Sequence, residues 1–151
     1  MIKKSPVPKP PLASAVAEEL RAFAGKLKRK LREQGHAGDL TPSQTSVIVR
    51  LDKDGPMTTS ALARAEAMRP QSMGALLAAL DASGLVSGTP DPSDGRQTIL
   101  SLTDKCRSLI QKGRAARQDW LTRTLEARLS LDEQRQVLSA IALLNRLVEQ
   151  D

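Results

Sequence analysis

The stretch GLVSGTPDPSDGRQTILSLT, residues 84–103, decides how the rest of the chain is read. Leu85 and Val86 follow Gly84, then comes a run of Pro, Asp, Ser and Gly from Pro90 to Gly95, then alternation through Thr98, Ile99, Leu100, Ser101 and Leu102. A turn-rich run between two short β-prone segments predicts a two-stranded hairpin with an exposed tip. The flanking segments have a different period: their apolar residues recur at helical spacing.

Immediately upstream, Pro70 opens a helix whose apolar set Met73, Leu76, Leu77 and Leu80 shares one face, and Gly84 is placed to close it as a left-handed cap. Before it, Thr58 can cap a short helix that starts at Thr59, turns Leu62 inward and ends near Ala67. Two helices separated by about four residues form the helix-turn-helix arrangement. Further upstream, Thr41 as N-cap, Pro42 as first helical residue and Gln44 three positions after the cap form a capping box, with Val47, Ile48 and Leu51 inward and Gly55-Pro56 as the stop. Another helix carries Val16, Leu20, Phe23, Leu27 and Leu31 on one stripe and stops near Gly35 and Gly38.

Downstream of the hairpin, Thr103 and Asp104 start a long helix over roughly 104–128, with Leu109, Ile110, Trp120, Leu121 and Leu125 inward. Ser130 and Glu133 form a second capping box, and Val137, Leu138, Ile141, Leu144 and Val148 continue at helical spacing to the end of the chain. The predicted order is four helices, a hairpin and two helices, without an internal repeat.

Composition bounds the function. A chain of 151 residues holds one core, and with a single Phe, a single Trp and no Tyr that core must be built from aliphatic residues. No apolar run reaches the length of a membrane span, and the basic, Pro-rich start has no apolar stretch behind it, which predicts a cytoplasmic protein with no membrane partner. Cys106 is the lone cysteine and His36 the lone histidine, too few for an internal disulfide or a Cys/His zinc site. With no Gly-rich phosphate loop and one His to act as a base near neutral pH, no catalytic constellation can be named and no cofactor is expected. Cys106 reads as a small buried hydrophobe or an oxidant sensor, His36 as an exposed loop residue or a ligand contact, and Trp120 as packing or a ligand platform.

The net charge of +6 invites a nucleic-acid reading. Its distribution weakens that inference: residues 1–34 carry nine Lys/Arg against three Asp/Glu, whereas residues 35–151 carry fourteen of each. The motifs have to decide.

Asp94-Gly-Arg96, five further residues and Leu102-Thr103 resemble the wing signature of the MarR (multiple-antibiotic-resistance regulator) family, Asp-x-Arg-x-x-x-x-x-Leu-Thr. Leu40-Thr41-Pro42-Ser43-Gln44 is similar to the family's second-helix start, and Leu62-Ala63 followed by Arg69-Pro70-Gln71-Ser72-Met73 to its helix-turn-helix. The resemblance covers about residues 40–110 and implies a mainly α fold with a small β-hairpin wing: a winged helix-turn-helix core with N- and C-terminal dimerisation helices. The expected divisions are a disordered basic arm over 1–11, an N-terminal dimerisation helix over 12–38, the DNA-binding domain over 39–103 and C-terminal dimerisation helices over 104–151.

It also implies a dimeric transcriptional regulator, a repressor relieved by a small, often aromatic ligand. Gln71, Ser72 and Ala75 would face the major groove from the fourth helix, and Arg69 would reach a phosphate or a guanine edge. Thr59 opens the third helix, where free N–H groups favour phosphate. Arg96 would enter the minor groove, while Asp94 holds the turn or orients an arginine. The apolar first and sixth helices call for a symmetric partner, which would set two recognition helices about 34 Å apart on a palindromic double-stranded operator. The sequence departs from the pattern at Gly74, Ala75, Ala78, Ala79, Ser87-Gly88-Thr89 and Gly95, where arginines are frequent in the family. That depletion leaves open a winged-helix module of low DNA specificity or one with a protein partner.

Overall fold

The computed structural model describes residues 11–35 and 40–149. The basic arm expected over 1–11, apart from Pro11, and the loop containing His36 lie outside the described residues. The element order is α1 (Leu12–Gln34), α2 (Pro42–Asp54), β1 (Met57–Thr58), α3 (Thr59–Ala65), α4 (Pro70–Ala82), β2 (Val86–Pro90), β3 (Thr98–Leu102), α5 (Asp104–Arg128) and α6 (Leu131–Asn145). This is the winged helix-turn-helix order with a helix before it and helices after it.

Local sequence chemistry starts most of these elements. The Thr41 hydroxyl accepts from the Gln44 N–H and the Gln44 side chain accepts from the Thr41 N–H, so both halves of the box that opens α2 are formed. Ser130 and Glu133 do the same for α6. Thr58 caps α3 alone, accepting from the Ala61 N–H at 3.2 Å, because Ala61 has no side-chain acceptor to return the bond.

The expected two-stranded finger is a three-stranded antiparallel sheet of order β1-β3-β2. Met57 and Thr58 pair with Leu100 and Ile99, adding a strand just before α3. Val86 to Pro90 pair residue for residue with Leu102 to Thr98. A strand two residues long has no period of its own; it exists because β3 offers it an edge. The second difference is at the end of the chain, where α6 stops at Asn145 and Arg146 to Val148 form a turn although the apolar stripe runs on to Val148.

The chain divides into two compact units, residues 36–116 and residues 1–35 with 117–151. The first holds the buried core: Val47, Leu62, Met73 and Leu80 are fully buried, with Val86, Leu100, Leu102 and Cys106 beside them. Each such side chain contributes about 1.5–3 kcal/mol relative to exposure, so this cluster fixes α2, α3, α4 and the sheet as one body. Arg114 of α5 pairs with Asp52 of α2 at 2.8 Å within the same unit. Cys106 is 2% exposed, and burial, with Asp52 as a lesser cause, pushes its thiol above its ordinary value. In the other unit neither α1 nor α6 buries any residue in the single chain, although Phe23, Leu138 and Ile141 are large and apolar.

The ends of α3 and α4 use one hydrogen-bond pattern. Met68 N–H bonds to the Ala63 carbonyl at 2.9 Å and Leu85 N–H to the Leu80 carbonyl at 3.0 Å, each across a residue of positive φ. After α4 that residue is Gly84 at φ +72°; after α3 it is Ala67 at φ +52°.

Candidate nucleic-acid interface

Burial of Met73, Leu77 and Leu80 fixes the rotation of α4 and leaves Gln71, Ser72, Gly74, Ala75, Ala78 and Ala79 exposed on the other side. Arg69 is the N-cap residue, with φ −67° and ψ 144°; its side chain makes no capping bond and is exposed. Pro70 at the first helical position needs no N–H partner there. Thr59 opens α3 half-buried, and Ser60 and Arg64 lie one turn apart on its exposed side.

The turn between α3 and α4 is braced from α2. Arg50 Nε donates to Glu66 Oε1, Arg50 also reaches the Ala65 carbonyl at 3.4 Å and Asp54 at 3.5 Å, and Ser46 Oγ donates to Glu66 Oε2 at 2.6 Å. The Ser46 hydroxyl and then the Arg50 guanidinium hold the Glu66 carboxyl below its ordinary value. The same pairing raises Arg50.

In the wing, Asp94 accepts at two points: its side chain from the Arg96 N–H at 3.1 Å and its carbonyl from the Gln97 N–H at 2.9 Å. This is an Asx-type turn, in which a short carboxylate stands in for a backbone acceptor. Asp91 closes the other side, its N–H bonded to the Gln97 carbonyl at 2.9 Å and its carboxylate accepting from the Ser93 hydroxyl and N–H. The Ser93 bonds hold the Asp91 carboxyl below its ordinary value. Arg96 therefore leaves a defined turn with its side chain exposed. Among the described residues, the guanidinium groups of Arg64, Arg69 and Arg96 form no ion pair, whereas those of Arg50, Arg107 and Arg114 each do. The arginines on α3, at the start of α4 and at the wing tip are thus open to an external anion.

Leu102-Thr103 anchors the wing's base. Leu102 is buried, and Thr103 donates its hydroxyl to the Gly84 carbonyl at 2.6 Å and its N–H to the Leu85 carbonyl at 3.1 Å. The same hydroxyl accepts from the Cys106 N–H at the start of α5. Gly88, in the first wing strand, lies so close to Thr98 that an added Cβ would stand 2.7 Å from its Cγ2, so a larger residue there requires the exposed Thr98 side chain to shift.

Sequence reading overlooked Arg64, Ser60 and Gln97. Ser60 Oγ donates to Gln97 Oε1 at 3.3 Å, joining α3 to the wing across 37 positions. The spacing of Ser60 and Arg64 was a usable signal for the α3 face; nothing local marked Gln97. No group of His, Cys, Asp and Glu able to hold a metal occurs among the described residues, and no helix there is long and apolar enough to cross a membrane.

The sequence pattern of the MarR family matches residues 40–98, the span from the α2 cap to the start of β3. An uncharacterized HTH-type transcriptional regulator of Mycobacterium bovis, Mb0904, is 36% identical over 135 residues, covering 89% of this chain and 94% of that protein. The chain belongs to the MarR family. A crystal structure of a putative transcriptional regulator from Pseudomonas aeruginosa is similar with a TM-score of 0.75 at 33% identity, over 92% of this chain and 98% of that one. The HTH-type transcriptional repressor MdtR of Bacillus subtilis is 26% identical over 140 residues, covering 93% of this chain and 90% of the relative. The protein is a DNA-binding transcriptional regulator of the MarR family.

Proposed function

We propose that this MarR-family protein is a cytoplasmic homodimer that represses transcription from a palindromic operator and is released by a small aromatic ligand. The observation that carries the DNA-reading part is the combination of an exposed α4 face with Arg96, whose guanidinium forms no ion pair among the described residues and whose main chain is fixed by Asp94. Gln71, Ser72 and Ala75 meet major-groove edges, Ala75 being suited to a thymine methyl; Arg69 meets a guanine edge or a phosphate, and Thr59 a phosphate. Arg96 enters the minor groove, where narrowing deepens the negative potential, and Asp94 supports it from behind.

Homodimerisation is supported by the unburied apolar residues of α1 and α6, in the N-terminal helix over 12–38 and the C-terminal segment over 104–151. Repression is supported by the name of the Bacillus subtilis relative, and the ligand by the family resemblance alone. A gel-shift with the protein's own upstream intergenic DNA against an unrelated competitor tests the proposal. Specific retention that Arg96→Ala weakens about tenfold, with no change in unfolding, is the expected result. Equal retention of both DNAs would replace it with a second reading, low-specificity coating, which the cation-free α4 favours.

A further inference from the structure

The paired ladder of the wing ends at Pro90 and Thr98, and residues 91–97 beyond it are closed by bonds internal to the loop. Such a loop keeps its own shape yet can pivot as a unit at the end of its stem. Among the described residues one side-chain bond leaves it: Gln97 Oε1 accepts from Ser60 Oγ at 3.3 Å. Ser60 sits on α3, where Thr58 Oγ1 lies 3.3 Å from its hydroxyl and caps the helix through the Ala61 N–H. Gln97 is also the residue whose N–H and carbonyl close the loop, onto Asp94 and Asp91, and it directly follows Arg96.

We infer that Gln97, held by Ser60, is the positioning residue of the wing: it ties the tip to the helix-turn-helix body and so sets where Arg96 stands relative to α4. This rests on the DNA-binding reading of Arg96. Two groove contacts made by one rigid body gain affinity because no pivoting freedom is lost on binding. Cutting the tie leaves every fold-stabilising contact of the core in place and frees the tip.

The test uses Ser60→Ala, Gln97→Ala and Ser60→Thr, which keeps the hydroxyl. In the free protein, backbone relaxation at Gly95 and Arg96 should fall from an order parameter of about 0.85 to below about 0.6 in both alanine variants and recover in Ser60→Thr. Operator affinity should fall about three- to tenfold in each alanine variant, the double variant losing no more than either alone. In an Arg96→Ala background Gln97→Ala should cost nothing further, since its effect passes through Arg96; a purely structural role would still register there. Tip amides unchanged in both alanine variants overturn the inference, whether or not DNA binds. If the wild-type protein retains no duplex, the DNA reading fails, while the tip amides still decide the tie.

Discussion

The hydroxyl of Thr103 lies 2.6 Å from the carbonyl oxygen of Gly84, closing the wing at its base, while the Thr103 hydroxyl also caps α5 by accepting from the Cys106 N–H. One side chain thereby satisfies the end of α4 and the beginning of α5. Thr103→Val keeps the shape and removes both bonds, leaving a half-buried carbonyl and an N–H without partners. The expected cost is about 1–3 kcal/mol of unfolding free energy, read from urea titration. A variant as stable as wild type would show that the signature threonine is not a structural lock.

Acid should loosen the brace between α2 and α3. Glu66 has a native pKa below its ordinary value of 4.5, so the unfolded chain takes up the proton first as pH falls. Its contribution is complete above that value and is lost on descending through the native pKa. Urea midpoints measured from about pH 6 to about pH 3 should fall on the acid side, and Glu66→Gln should flatten part of that fall. An identical acid limb in the variant would remove Glu66 from the account.

Self-association should depend on α6. Leu138 is 70% exposed in the single chain, and Leu138→Asp should weaken dimerisation at least about tenfold by sedimentation at micromolar concentration. Val49 of α2, 58% exposed in the other unit, is the control, and Val49→Asp should leave the association unchanged. Equal effects of the two would point to a different interface.

Salt dependence should be shallow. If Arg64, Arg69 and Arg96 of each protomer each neutralise one phosphate, the log–log slope of affinity against salt is about −5. A slope steeper than about −7 would require cations beyond these.

The elements legible in the sequence are those whose cause is local. Both capping boxes are written within four residues, and the inward faces of α2 and α4 follow from Val47, Ile48, Leu51, Met73, Leu77 and Leu80. What escaped depends on distance along the chain: Met57 and Thr58 become a strand through Leu100 and Ile99, and Arg50 meets Glu66 after 16 positions. The stripe through Val148 misled because an apolar residue extends a helix when a surface covers it, and Val148 is 78% exposed in the single chain. In the site, Asp-Gly announced the turn that presents Arg96, whereas nothing local marks Gln97, whose partner Ser60 lies 37 positions away.

Ala67 sits where Gly84 sits in the matching helix end, at φ +52° and exposed, yet it carries a methyl group that this backbone region disfavours. Removing that methyl should therefore toughen the protein against heat, by about 1 kcal/mol at the turn between α3 and α4. A chain carrying Ala67→Gly should then absorb a harmful change elsewhere, such as a new side chain on the bare face of α4, without falling below the threshold for folding.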